Sequence, residues 1–195
     1  MTDLRQIRSR DLLRGALLTL LETKALEEIS PRDITSTAKV GYATFYRHFP
    51  TKEALLTDLA RDQVDRLMGL AQPLTDAANT SAACHALCAY VDEHRALWKT
   101  LLTGSAEIFI RKEFLRAARE VAPTFAQPSS GVPAELGIAL AVGSVVELLA
   151  WWLAQPTPMS VKQAASILDR IVIAPTVGKA KKKSPVPKAA GKKSR

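Results

Sequence analysis

Apolar residues recur along this chain at steps of three and four, and no stretch alternates apolar and polar positions for long with β-branched enrichment. That period belongs to helices burying one face, so an all-α fold is expected. The first run spans residues 3–24, with Leu13, Ala16, Leu17, Leu20 and Leu21 on one face and Arg5, Arg8 and Arg14 on the other. Ser30-Pro31-Arg32-Asp33 reads as a helix start: Ser30 caps, Pro31 suits the first helical position and Asp33 can complete a capping box. This short helix runs to residue 38 and breaks at Lys39-Val40-Gly41, where Gly41 readily takes non-helical angles. A second short helix covers 42–48. Phe49-Pro50-Thr51 ends it, and Thr51 caps a longer helix over 52–70 with Leu55, Leu56, Leu59 and Leu67 inward.

Further helices are predicted over 80–94, 96–103, 106–121, 133–154 and 160–173, punctuated by Gly104, Pro123, Pro128, Gly131, Pro133, Pro156 and Pro158. Residues 122–133 read as a loop. From residue 174 the chain is rich in Lys, Pro and Ala with almost nothing to bury, so disorder is expected there. Three parts follow: an N-terminal three-helix unit over 1–50, an all-helical domain over 51–173 and a tail over 174–195.

Composition adds a compartment. The two cysteines, Cys84 and Cys88, are four residues apart and make no disulfide framework, and the N-terminus alternates charge with leucine, unlike a secretion signal. A cytoplasmic protein is expected. Residues 137–154 are apolar enough to suggest a membrane span, but Glu147 in their middle would be costly at bilayer depth, and a helix buried on nearly all sides is the better reading. Cys84 and Cys88 share a helix face while His85 sits about 100° away, a poor metal geometry; neither metal nor cofactor is expected. Three histidines, and no Gly-x-Ser-x-Gly or phosphate-cradling glycine run, argue against an enzyme.

The net charge of +8 resides in the tail, where residues 179–195 hold seven Lys and one Arg with no acid. Within the body, residues 1–52 carry nine basic against six acidic residues, whereas 53–178 carry ten against thirteen. A phosphate-facing surface therefore belongs at the N-terminal end. Two short helices joined by a tight turn and followed by a long one form a helix-turn-helix, in which the second short helix can enter a major groove. At roughly 100° per residue, Phe45 lies about 200° from both Ala43 and Arg47. Phe45 and Phe49 then face the core with Val40 and Ile34, while Tyr42, Ala43, Tyr46 and Arg47 point outward and Thr44 and His48 sit on a flank. Arg47 can fork onto guanine or phosphate, Tyr and Thr hydroxyls can bond phosphate oxygens, and Lys52 adds a cation.

The run ISPRDITSTAKVGYATFYRHFPTKEALL, residues 29–56, resembles the signature of the TetR family of repressors. Thr44, Phe45, Tyr46, His48, Phe49, Lys52, Glu53 and Leu55 match in register. The turn departs from the usual Ala-Gly-Val-Ser, reading Ala38-Lys39-Val40-Gly41. The resemblance implies that Tyr42, Ala43, Thr44, Arg47 and His48 face an operator, with Thr44, Tyr46 and Lys52 on phosphates. Ser30 and Arg32 would touch DNA at the preceding helix, and Arg32 would reach a base. It also implies a homodimer on a near-palindromic operator, paired through residues 133–173 as a four-helix bundle, and release of the operator by a small-molecule inducer.

The residues of the second half fit independently. Ala139, Ala141, Gly143 and Ser144 allow close backbone approach, and Val142, Val145, Val146, Leu148 and Leu149 leave no polar face, so this helix needs more burial than one chain provides. Trp98, Phe109, Phe114, Trp151 and Trp152 are candidates for lining an inducer pocket or for filling a core. Glu147 can bond across a dimer, meet a ligand or reach solvent. A rival reading is an architectural DNA coater driven by the basic tail.

Overall fold

A computed structural model describes residues 4–70, 80–122 and 132–177. Most of the expected loop at 122–133 and the tail from residue 178 lie outside the described residues. The chain runs through α1 (Leu4–Leu21), a 3-10 turn (Leu26–Glu28), α2 (Pro31–Ala38), α3 (Tyr42–His48), α4 (Lys52–Leu70), α5 (Thr80–Glu93), α6 (Arg95–Thr103), α7 (Glu107–Val121), α8 (Ala134–Ala154) and α9 (Val161–Leu168). A π-helical turn at Asp169–Ile173 leads into α10 (Ala174–Val177), so helix continues four residues into the expected tail. All regular structure among the described residues is helical.

Helix starts follow local chemistry. Ser30 and Asp33 close a reciprocal capping box on α2, with Pro31 at the first position, and Ser160 and Gln163 do the same for α9. At the turn after α2, Lys39 takes the left-handed conformation, with φ 54° and ψ 41°, and Gly41 is the N-cap of α3. Gly41 is extended at φ −67°, and a Cβ there would meet only Thr44 Oγ1 at 3.6 Å, so its glycine freedom is unused.

α1, α2, α3 and the start of α4 enclose Leu13, Leu17, Ile29, Ile34, Phe45, Phe49 and Leu55. α4 continues out of this unit and packs along α7, so one 19-residue helix belongs to both halves. Ion pairs line both of its sides. Asp58 takes Arg10 and Arg14 from α1, and Asp62 takes Arg14 at 3.2 Å, so Arg14 is largely covered rather than on a solvent face. On the other side, Arg61 of α4 reaches Glu113 of α7 at 3.2 Å, and Arg116 bonds the same carboxylate at 2.6 Å while also pairing with Asp65 of α4. Leu26 N–H donates to Ser105 Oγ at 2.8 Å, a further tie between the halves.

Within one chain α8 is covered only in part. Val142, Val146, Leu149, Trp152 and Leu153 are buried, but only 28% of its most apolar window is covered within the chain. By length and composition α8 could cross a membrane. Its uncovered positions include Leu136, Leu140, Glu147 and Trp151, at steps of four, seven and four, which is one stripe along the helix.

Candidate DNA-binding surface and regulatory core

The inward side of α3 is set by its aromatics: Phe45 is 0% exposed and the ring of Phe49 packs beside it at 6.3 Å. Burying two phenylalanines anchors a two-turn helix that could not persist alone. The same rotation turns Tyr42 and Tyr46 outward, 53% and 47% exposed, together with Ala43 and Arg47. Thr44 and His48 are half-buried on the flank.

Tyr42 and Tyr46 stack edge to face at 5.1 Å with their hydroxyls 3.2 Å apart. The shared hydrogen bond raises the Tyr46 phenol. Arg32 is exposed on α2, and with Thr35, Ser36, Val40 and Tyr42 it lines an open concavity of about 630 Å³ between α2 and α3. Ser30 is exposed, but its hydroxyl is already engaged with Asp33, accepting from the backbone N–H at 3.2 Å and donating to the carboxylate at 2.7 Å. Those bonds hold the Asp33 carboxyl below its ordinary value.

Lys52 is half-buried at the start of α4. Its Nζ donates to the carbonyls of Leu26, Glu27 and Ile29 at 2.6, 3.2 and 2.7 Å. An ammonium has three donors, so a phosphate bond would require giving one of these up. The arrangement closes the 3-10 turn over the start of α4. Sequence reasoning also passed over Ser9 and Arg10. Ser9 is buried on α1 with Oγ 2.9 Å from His48 Nε2, and the Arg10 guanidinium lies 5.9 Å over the Phe49 ring. Neither partner could be found from local spacing, since Ser9 and His48 are 39 residues apart.

The six residues proposed for a ligand pocket separate. Trp98 is 0% exposed with the Phe114 ring at 6.3 Å, and its Nε1–H has no hydrogen-bond partner among the described residues. Phe109 is half-buried against the same core. Trp152 is buried too, but its N–H donates to the Met159 carbonyl at 2.9 Å and Arg95 lies 5.4 Å over its ring. Trp151 and Glu147 are exposed on the stripe of α8, away from that interior. Cys84 and Cys88 are buried thiols pushed up to about 12, chiefly by loss of solvent, which suppresses the reactive thiolate.

Residues 13–59, covering the helix-turn-helix, match the family model described as bacterial regulatory proteins, tetR family. No curated protein matches the chain. Solved structures share its fold. A TetR transcriptional regulator from Streptococcus agalactiae is 22% identical with a TM-score of 0.58, over 86% of this chain and 97% of that one. The fatty acid degradation regulator FadR from Bacillus halodurans is 13% identical with a TM-score of 0.62, over 85% and 94%. Thermus thermophilus FadR, a TetR-family repressor solved with lauroyl-CoA, is 16% identical with a TM-score of 0.51, over 91% and 98%. Residues 13–59 thus carry the N-terminal segment of the tetR family of bacterial regulatory proteins, and the helical chain around it has the fold of solved TetR-type regulators.

Proposed function

We propose that the chain is a homodimeric repressor that reads a near-palindromic operator with α3 and releases it when a small molecule occupies the helical domain. The observation that carries the DNA half is the two-sidedness of α3: both phenylalanines are spent on the core, leaving Tyr42, Ala43, Tyr46 and Arg47 free for a groove. In this reading Arg47 contacts a base edge, Arg32 reaches a second base from α2, and Thr44, Tyr46 and His48 contact phosphates. Ser30 helps seat the start of α2. Lys52 acts chiefly through the turn it closes, contributing its charge but no free donor.

The dimer reading is supported by the stripe of α8, where Leu136, Leu140 and Trp151 stand in solvent around Glu147. Ile171, exposed after α9, and an open groove of about 370 Å³ lined by Met159, Lys162, Gln163, Ser166 and Ile167 extend the uncovered surface of the last two helices. A second copy covering these faces would form the symmetric dimer that adjacent half-sites require, with its two α3 helices about 34–36 Å apart to reach them.

The inducer reading is supported by Trp98. A buried indole N–H without an acceptor carries a free-energy cost that an occupant could relieve. The surroundings of Trp98 and Phe114 are apolar, so an apolar molecule carrying a hydrogen-bond acceptor is the matching chemistry. Thermus thermophilus FadR, of the same fold, was solved with lauroyl-CoA.

Retention of source-genome fragments, followed by competition with random duplex, tests the DNA reading. A repressor keeps a preference of at least about 10³ for the selected fragments, whereas a coater driven by the basic tail shows almost none.

A further inference from the structure

We propose that Ser9 of α1 is a positioning residue for the DNA contact of α3, holding His48 by Nε2–H so that Nδ1 is the nitrogen that takes up a proton when a phosphate arrives. This rests on the DNA-binding reading above. Ser9 is buried, its Oγ lies 2.9 Å from His48 Nε2, and the same hydroxyl donates to the Gln6 carbonyl at 3.2 Å. A hydroxyl has one hydrogen to give. With that hydrogen on Gln6, the oxygen faces Nε2 as an acceptor, and the chain Nε2–H to Oγ–H to carbonyl uses both contacts at once. The neutral ring is thereby left with its basic nitrogen at Nδ1, which has no hydrogen-bond partner among the described residues.

The surroundings of His48 keep it neutral in the free protein. Burial is the largest influence lowering its affinity for a proton, followed by Arg47 on its own helix and Arg10 on α1. Arg10 is itself paired with Asp58 of α4, which offsets part of its field. A DNA phosphate beside the ring reverses the balance. The unprotonated Nδ1 can only repel a phosphate oxygen, while a protonated one donates a charge-assisted hydrogen bond. Binding is then linked to proton uptake, and affinity rises as the pH falls. Ser9 makes the linkage directional, because without its hydroxyl the ring is free to turn and to exchange tautomers.

The test uses the full-length chain and a random-sequence duplex of about 24 base pairs, a little over two helical turns, since a phosphate contact needs no operator. Imidazole ¹⁵N spectra, with the His48 signals identified from a His48→Gln sample, should show Nε2 carrying the proton in the free protein near neutral pH. Adding duplex should raise the His48 titration midpoint by roughly one unit, and affinity should increase by up to about sixfold per subunit between about pH 8 and about pH 6. His48→Gln should remove that share of the pH dependence. Ser9→Ala should give mixed tautomers and weaken binding severalfold, and Ser9→Thr, which restores the hydroxyl, should recover both. An Nδ1–H tautomer in the free wild type, an unmoved midpoint with duplex bound, or an unchanged pH profile in His48→Gln overturns the proposal alone. Failure of the wild type to bind duplex at either pH overturns the DNA-binding reading and this proposal together.

Discussion

Glu113 is 3% exposed, yet it stays ionised because Arg61 and Arg116 both bond it, holding the carboxyl below its ordinary value against the opposing effect of burial. Replacing it with Gln keeps the shape but leaves two guanidiniums with a neutral acceptor. Glu113→Gln should cost about 2 kcal/mol in urea unfolding near neutral pH. The sign with pH follows from the lowered folded value. The stability due to the charge is complete above the unfolded pKa and is lost as pH falls through the folded one, so the gap between wild type and variant should narrow below about pH 4. A gap that held constant into acid would show that packing, not charge, is what the substitution removed. At this scale the outward set of α3 was legible from the angle between Phe45 and its neighbours. Ser9, Arg10 and the role of Lys52 were not, because their partners come from distant segments and a one-dimensional pattern carries no cross-chain distance.

α2, its turn and α3 form the element to which the proposed recognition is assigned, and their junction is strained at one residue. Lys39 holds a left-handed conformation that costs a non-glycine residue roughly 1 kcal/mol or more, while Gly41 occupies an N-cap position without offering a side-chain acceptor. Lys39→Gly should therefore stabilise the chain by about 1 kcal/mol, and Gly41→Ser should add a few tenths. Thermal unfolding of the single and double variants checks this. A destabilised Lys39→Gly would mean that the lysine side chain contributes more than its backbone conformation costs. Helices were legible from their period and caps, as the box at Ser30 shows; the box at Ser160 came only with the structure. The π-turn after α9 and the continuation into α10 were not, since they interrupt no hydrophobic spacing and Pro175 reads as a stop.

Across the whole molecule, α4 links the N-terminal three-helix unit to the helices that follow, and α8 leaves an apolar stripe in solvent. The apolar character of α8 was plain in the sequence, but its coverage was not, because burial by a second copy and burial within one chain leave the same pattern. Leu140→Arg should shift the protein from dimer to monomer in sedimentation equilibrium at micromolar concentration and weaken duplex binding in parallel; a wild type that sediments as a monomer would contradict the α8 assignment. Removing residues 179–195, with their eight basic side chains, should weaken operator and random duplex alike and flatten the salt dependence, by close to 0.9 in logarithmic slope for each phosphate no longer neutralised. Base reading, by contrast, is assigned to Arg47. Affinity of Arg47→Ala for a selected genomic site should fall by about 1–3 kcal/mol with preference relaxed at one base pair of each half-site, and affinity within twofold of wild type with preference intact would contradict the assignment of α3 as the reading helix.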